Sequence, residues 1–376
     1  MKNIFCTFLL IVGATLVLKA QDPQYTQFYA NPLYLNPAFA GATAQGRISV
    51  NYRNQWPSLD ASFITYSASY DQYIPKYQSG VGFYLSQDEV RSDMISGNVP
   101  TFKSTSFAGY YSYVAPLNKK VALQFGLSAG MISRDLGFSR LLFTDQIKVS
   151  GGEIIEEKPG GIADENNLFE NNNVKNVFDV GTGVLLYSKK FWLGASVFHI
   201  NKPDLSLTGI NDGDRLPRRF SVQGGYVIGF SDVNRQKTDS YDFTITPAFM
   251  YLRQGASDQL SLGAYMHYQP IMLGFWYRGL PLPLYKEGTD DNQVSVAYSD
   301  AVALLVGFKL PKFTVGYSYD YTVGNTLRGN TGGSHEISLT FNFGTNLEFS
   351  SGRPKHKRFG KLYCPNPWKQ YEKKRW

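Results

Sequence analysis

Two runs of strict alternation near the end of the chain show how the rest of it is built. In the first, Phe313, Val315, Tyr317, Tyr319 and Tyr321 alternate with Thr314, Gly316, Ser318 and Asp320. In the second, Ile337, Leu339, Phe341 and Phe343 alternate with Ser338, Thr340 and Asn342. A period of two with one wholly apolar face predicts a strand pair, and the Gly/Asn-rich connection between the runs makes it an antiparallel hairpin. In a soluble sandwich the apolar face would meet a core; in an outer-membrane barrel it meets lipid, and the polar face lines a lumen.

The same pattern recurs at residues 47–53, 62–71, 80–87, 101–114, 120–135, 177–187, 191–199, 218–230, 242–253, 259–268, 271–278, 301–309, 312–321 and 334–343. Fourteen strands is an even count, as a single-chain bacterial barrel requires. Connections alternate in length: 75–79, 116–119, 188–190, 269–270 and 310–311 are short, with 231–241 the exception. The intervening 88–100, 136–176, 200–217, 279–300 and 322–333 are long, although 254–258 is brief. Short periplasmic turns facing longer outward loops are a property of barrels, not of sandwiches. The expectation is an all-β transmembrane antiparallel barrel over residues 47–344, with Gln21 and Trp376 both on the periplasmic side.

Residues 1–20 carry Lys2, an apolar stretch from Ile4 to Val17 and a cleavage position after Ala20, which reads as an export signal. The apolar run is too short for a membrane-spanning helix, and no longer one follows it. Cys6 lies inside the signal, so Cys364 is left alone and no internal disulfide can form. Aromatic residues make up 15% of the chain, with 36 Gly, a composition suited to strands and interfacial aromatic girdles.

Residues 21–46 precede the first strand and contain two Asn-Pro pairs, in NPLYLNPAFAG from Asn31 to Gly41. Proline removes ladder donors, so this segment reads as a plug or packed loop, with Tyr25, Phe28, Tyr29, Tyr34 and Phe39 to pack against the barrel. Of the formal +7, +2 lies in residues 1–20 and +8 in residues 351–376, which leaves −3 for residues 21–350. The basicity therefore belongs to a tail, residues 345–376.

Several of these stretches resemble the PorP/SprF outer-membrane proteins of type IX secretion and gliding: NPLYLNPAFAG, YRNQWP from Tyr52 to Pro57, YSYDYT from Tyr317 to Thr322, and GGSHEISLTFNF from Gly332 to Phe343. The positions that carry the likeness are Asn31, Pro32, Asn36, Pro37, Gly41, Arg53, Trp56, Tyr317, Tyr319, Asp320, Tyr321, Ser334, His335 and Glu336. The resemblance implies a non-enzymatic barrel, without cofactor, that works with periplasmic ring lipoproteins of the secretion apparatus, or with exported surface proteins such as adhesins. The other reading is a passive porin-like pore for a small solute, which requires an open lumen.

His267 shares the parity of Ser261, Gly263 and Tyr265, so it faces the lumen as a network member; His335 and Glu336 read as rim hydrogen-bonding or register residues. No serine or threonine nucleophile sits in a hydrolase-like context, so no catalytic residues are assigned. Asp145, Glu153, Glu156, Glu157, Asp164, Glu165 and Glu170, with the clusters at 211–214 and 290–292, lack calcium-loop spacing and read as a solvated acidic face, with no metal site. In the tail, Arg353, Lys355, Lys357, Arg358, Lys361, Lys369, Lys373, Lys374 and Arg375 are interleaved with Phe359, Tyr363, Trp368, Tyr371 and Trp376. Aromatic residues and arginine anchor protein interfaces, so the tail reads as a periplasmic docking arm for a protein partner; export rules out nucleic acid.

Overall fold

In the computed structural model, the described residues are 22–43, 46–59, 61–92, 100–118, 120–136, 147–150, 153–157, 174–205, 215–230, 243–255, 257–280, 301–310, 312–323 and 331–343. The expected signal and basic tail, with Cys364, lie outside them. So do Gln21, Trp376 and most of the acidic loop residues.

The alternation becomes one closed antiparallel ladder. Its strands are β1 (Gly46–Gln55), β2 (Ala61–Ile74), β3 (Ser79–Ser92), β4 (Pro100–Pro116), β5 (Val121–Leu136), β8 (Val174–Ser188), β9 (Phe191–Phe198), β10 (Arg219–Tyr226) continued by β11 (Ile228–Phe230), β12 (Phe243–Gln254), β13 (Ser257–Tyr268), β14 (Ile271–Leu280), β15 (Ala301–Lys309), β16 (Phe313–Thr322) and β17 (Ser334–Phe343). Each pairs with its sequence neighbour in this ring, and β1 pairs with β17 from Gly46↔Phe343 to Gln55↔Ser334, which closes fourteen staves. Closure satisfies every edge, as a structure surrounded by lipid must. No helix among the described residues is long and apolar enough to cross a membrane.

The faces follow the expected register. Ile337 and Leu339 on β17, and Phe313, Val315 and Tyr317 on β16, are exposed on the outside, while Ser338, Thr314 and Ser318 are buried inward. On the other half of the barrel one register row reads Val50, Ala68, Leu85, Phe107, Met131, Phe178, all apolar. The next outward-facing row toward the long loops reads Tyr52, Tyr66, Gln87, Thr105, Ser133, Asn176. An apolar band bordered by aromatic and then polar residues is the profile of a barrel crossing lipid.

Three differences from the sequence reading have physical causes. β2, β3 and β8 run up to five residues beyond their expected ends. The longest extension, on β3, runs through Asp88, Glu89 and Arg91, past the row where lipid-facing apolarity ends. The stave expected at 218–230 is broken at Val227, whose N–H donates to Lys190 O across 2.6 Å; the facing stretch of β12 holds Pro247, which has no N–H to give. Within the loop expected at 136–176, β6 (Ile147–Ser150) and β7 (Glu153–Glu157) form a separate two-stranded ribbon that includes Glu153, Glu156 and Glu157.

Residues 22–43 lie inside the ring. They form a 3-10 turn at Phe28–Ala30, a single helical turn α1 (Pro32–Leu35) and a second 3-10 turn at Pro37–Phe39. Pro32 and Pro37 each stand in the first turn, where a missing N–H costs nothing, and Asn36 Oδ1 accepts Ala38 N–H at 2.8 Å to cap the second. The strap begins at the long-loop end, where Asp22 meets the first residue of β10 and the last of β12, and ends at the short-turn end beside Asp71. The ladder thus opens and closes on the short-turn rim, while the first described residue, Asp22, is level with the opposite one.

Candidate functional site

The lumen carries its chemistry where the strap meets the wall. Near the long-loop end, Arg53 of β1 and Glu336 of β17 are register partners across the closing seam. Arg53 Nη1 donates to Glu336 Oε2 at 3.0 Å and Nη2 to Asp320 Oδ2 at 2.9 Å, and Arg278 Nη2 donates to the same Asp320 oxygen at 3.0 Å. The strap completes this group. Thr26 N–H and Gln27 N–H donate to the two oxygens of Glu336 at 2.7 and 3.1 Å, and Thr26 Oγ1 donates to Asp320 Oδ2 at 2.5 Å. Gln27 Nε2 reaches Ser318 Oγ and Glu336 O, while Ser338 and Tyr29 hydroxyls donate to its Oε1. Two arginines balance two carboxylates, so four charges are buried as a neutral set, the condition under which burial is tolerable.

A second group holds the strap's first residue. His199, directly after β9, places Nδ1 2.9 Å from Asp179 Oδ1 and Nε2 2.7 Å from Asp22 Oδ2, and Arg219 Nη1 donates to the same Asp22 oxygen at 2.8 Å. Arg219 Nη2 donates to Tyr34 O at 2.8 Å, and its guanidinium lies between the rings of Tyr34, 4.0 Å away, and Phe198, 4.5 Å away. Burial disfavours the imidazolium, but Asp22 and Asp179 outweigh it and push the His199 pKa up to about 9. Burial likewise works against the Asp22 carboxylate, yet His199 and Arg219 hold its pKa well below the usual carboxylate range. His199 keeps φ at +56°, a left-handed backbone that a non-glycine residue adopts at a cost of about 1–3 kcal/mol, so the surroundings hold it in place.

At the short-turn end, Gly41 N–H donates to Asp71 Oδ2 at 3.0 Å, and Arg47 Nε donates to Asp71 Oδ1 at 2.7 Å. Ala40 O accepts from Ser112 Oγ and Gln124 Nε2 at 2.7 and 2.8 Å. Midway, Asn36 Nδ2 donates to the carbonyls of Val184 and Ala195, a register pair of β8 and β9.

Such close approach needs a wall without side chains. A Cβ on Gly126 would lie 2.2 Å from Ala38 N, and one on Gly80 would lie 2.0 Å from Ala40 O, both backbone atoms of the strap. These inward-facing glycines on β5 and β3 are the footprint of residues 37–41 on the sheet.

The motif positions divide by location. Asn31, whose Nδ2 donates to Ser67 Oγ at 2.9 Å, joins Asn36, Gly41, Arg53, Asp320 and Glu336 in the strap–wall contacts. Pro32 and Pro37 shape the strap. Tyr317, Tyr319 and Tyr321 lie on the outer face with His335, whose Nδ1 is 2.9 Å from Tyr317 OH, and Trp56 packs edge-on to Phe63 beyond β1. Ser334, the first residue of β17, is buried at the long-loop rim. Glu336 is therefore corrected from a rim residue to the centre of the seam network, fully buried. His267 faces the lumen, with no protein hydrogen-bond partner for its Nε2 among the described residues. Asp22, Asp179, His199, Arg219 and Arg278 were not singled out from sequence; inward parity beside a predicted strap was the only signal they gave. All fourteen tail residues, from Arg353 to Trp376, lie outside the described residues.

A family model described as type IX secretion system membrane protein PorP/SprF matches residues 17–341. No curated protein matches the chain. Among solved structures, a mutant of TodX, a monoaromatic hydrocarbon channel, aligns at 10% identity and a TM-score of 0.47 over 82% of this chain and 93% of that one. CymD, another monoaromatic hydrocarbon channel, aligns at 14% identity and a TM-score of 0.44 over 84% and 94%. A triple mutant of Rhodopseudomonas blastica porin aligns at 9% identity and a TM-score of 0.29 over 80% and 99%. The barrel rests on its own closed ladder, not on these likenesses.

Proposed function

The chain belongs to the PorP/SprF family of type IX secretion system membrane proteins, and from that premise we propose that it is an outer-membrane binding component of the secretion and gliding machinery, which engages periplasmic ring lipoproteins, exported surface proteins, or both. Its work is binding, with no chemistry at a catalytic site. The observation that carries this reading is the filled lumen: residues 22–43 run its length and are anchored at both ends and the middle by buried polar contacts. A pore for solutes would have to break them. Two cavities beside the strap measure ≈ 50 and ≈ 30 Å³, room for a few waters each.

In this proposal the short-turn rim is periplasmic, because β1 and β17 begin and end there and the basic-aromatic tail follows β17. The strap then climbs from the periplasm and carries Asp22 to the external mouth, which amends the expectation for the N-terminal side. The tail, residues 345–376, is the periplasmic docking arm, with Trp368 and Trp376 as aromatic anchors.

Truncation after Gly344 tests the reading. The barrel should keep its outer-membrane abundance, while co-purification of periplasmic partners and surface display of cargo fall together. Unchanged co-purification and display would remove the arm from the function.

A further inference from the structure

The group around Asp22 is built unevenly. Its cations are fixed in the wall: Arg219 opens β10 and His199 follows β9, with side chains 4% and 6% exposed. Its shared anion is on the strap, at the first described residue, and is the most exposed of the three at 16%. Only Asp22 Oδ2 is held by both cations. The backbone adds one bond, from Asp22 N–H to Gln254 Oε1 at 3.0 Å.

Charge makes the pocket demand an anion. With Asp22 in place, Arg219 and protonated His199 face Asp22 and Asp179, two charges of each sign. Asp88 of β3 faces the same space and accepts from Thr65 Oγ1 at 2.6 Å, with Asp22 and then Arg134 acting on its charge. Tyr25, Tyr34, Tyr84 and Tyr110 complete the surroundings and are uncharged, each with a pKa raised by burial in the case of the strap residues Tyr25 and Tyr34. If Asp22 leaves, the Arg219 guanidinium between the rings of Tyr34 and Phe198 loses the carboxylate it donates to, which is costly unless another anion enters. A cleft opens beside it, lined by Tyr25, Met250, Leu252 and Gln254 as well as Asp22 and Arg219.

We propose that Arg219 and His199 form a carboxylate-binding site at the long-loop mouth, which the chain's own Asp22 occupies here and which an external carboxylate can take in its place, freeing the start of the strap. The geometry matches one carboxylate oxygen received by a guanidinium and an imidazolium together. The site stands whether or not the partner reading above is correct, because its ligand is defined by charge and shape alone.

The test is chemical rescue in the full-length protein, folded in detergent, at pH 7. Asp22→Ala removes the resident carboxylate; the probes are formate and an N-acetylated, C-amidated aspartate, each against chloride at equal ionic strength. Two readouts apply: the rate of proteolytic cleavage within residues 22–43, and the His199 ring signal in NMR spectra. Cleavage should quicken on the order of tenfold, as expected for loss of a charge-assisted contact, and the His199 pKa should fall. Formate should reverse both in a saturable way, and Asp22→Ala combined with Arg219→Gln should abolish that response. In the unaltered protein, rising formate should speed cleavage where chloride does not. Rescue by the aspartate derivative as well extends the site to peptide side chains, whereas rescue by formate alone confines it to small acids. Should Asp22→Ala fail to fold, the formate-against-chloride competition in the unaltered protein carries the test. Equal effects of formate and chloride, or rescue that survives loss of Arg219, would overturn the proposal.

Discussion

Replacing Glu336 by Gln keeps the shape of a lumen carboxylate that accepts from three donors and removes its charge. The carboxylate accepts the N–H groups of Thr26 and Gln27 and pairs with Arg53. A carboxamide has one acceptor oxygen, so one strap N–H must face an NH2 group. A hydrogen bond to a charged acceptor contributes about 1.5–3 kcal/mol. Arg53 loses one of its two carboxylates but keeps Asp320, so the ion-pair loss falls below the roughly 3–5 kcal/mol of a fully orphaned buried charge. The expected cost is about 3 kcal/mol, measured by denaturant unfolding in detergent or lipid. Much of it passes through the strap, and a double-mutant cycle isolates that share. In a protein lacking residues 22–35, water reaches the seam and Glu336→Gln should cost less than about 1 kcal/mol, as for a solvated pair. The same cost with and without the strap would refute the claim that the network exists to bind it.

Gly126→Val should push residues 37–39 off the wall and expose the strap to protease, whereas Gly109→Ala, whose added Cβ would meet nothing closer than 3.9 Å, should leave digestion unchanged. Leu339→Arg, on the lipid face, should cost about 2–4 kcal/mol and lower assembled barrel on heat-modifiability gels. Thr340→Arg on the inner face of the same strand should be milder, and equal losses would mean the register is wrong. The outer end of the strap should also respond to pH. The His199 contribution, worth about 3 kcal/mol from a pKa raised from 6.5 to about 9, is full below pH 6.5 and lost as pH rises through 9. The Asp22 contribution is present above its ordinary 3.8 and lost only as pH falls through its depressed value. Protection of residues 22–27 from hydrogen exchange, relative to the unstructured rate at each pH, should therefore be greatest between about pH 4 and 6.5 and fall near pH 9.

The lipid-facing half of each strand was legible because apolar outward residues are required there and nowhere else on the stave. Ile337, Leu339, Phe341 and Phe343 could not alternate with polar residues for any cheaper reason. Strand ends were less legible, since beyond the lipid the ladder of β3 runs on from Asp88 to Ser92, which read as loop. The strap was legible as something other than a strand, through Asn31-Pro32 and Asn36-Pro37. What it touches was not. Inward polar residues look alike whether they meet water or a buried partner, and Arg53 and Asp320 are 267 residues apart in sequence. Arg53, Asp320 and Glu336 stood out only through family resemblance, and Asp22, His199 and Arg219 did not stand out at all. The inward glycines at 80 and 126 were the available sign, since wall positions that tolerate no Cβ imply a backbone lying against them.

The central claim is that the lumen is occupied by the chain itself and serves binding, and conductance in planar bilayers addresses it most directly. The full-length protein should insert without a steady open-pore current, while a variant lacking residues 22–43 should insert and conduct continuously. A large, stable conductance from the full-length protein, unchanged when the strap is removed, would contradict it.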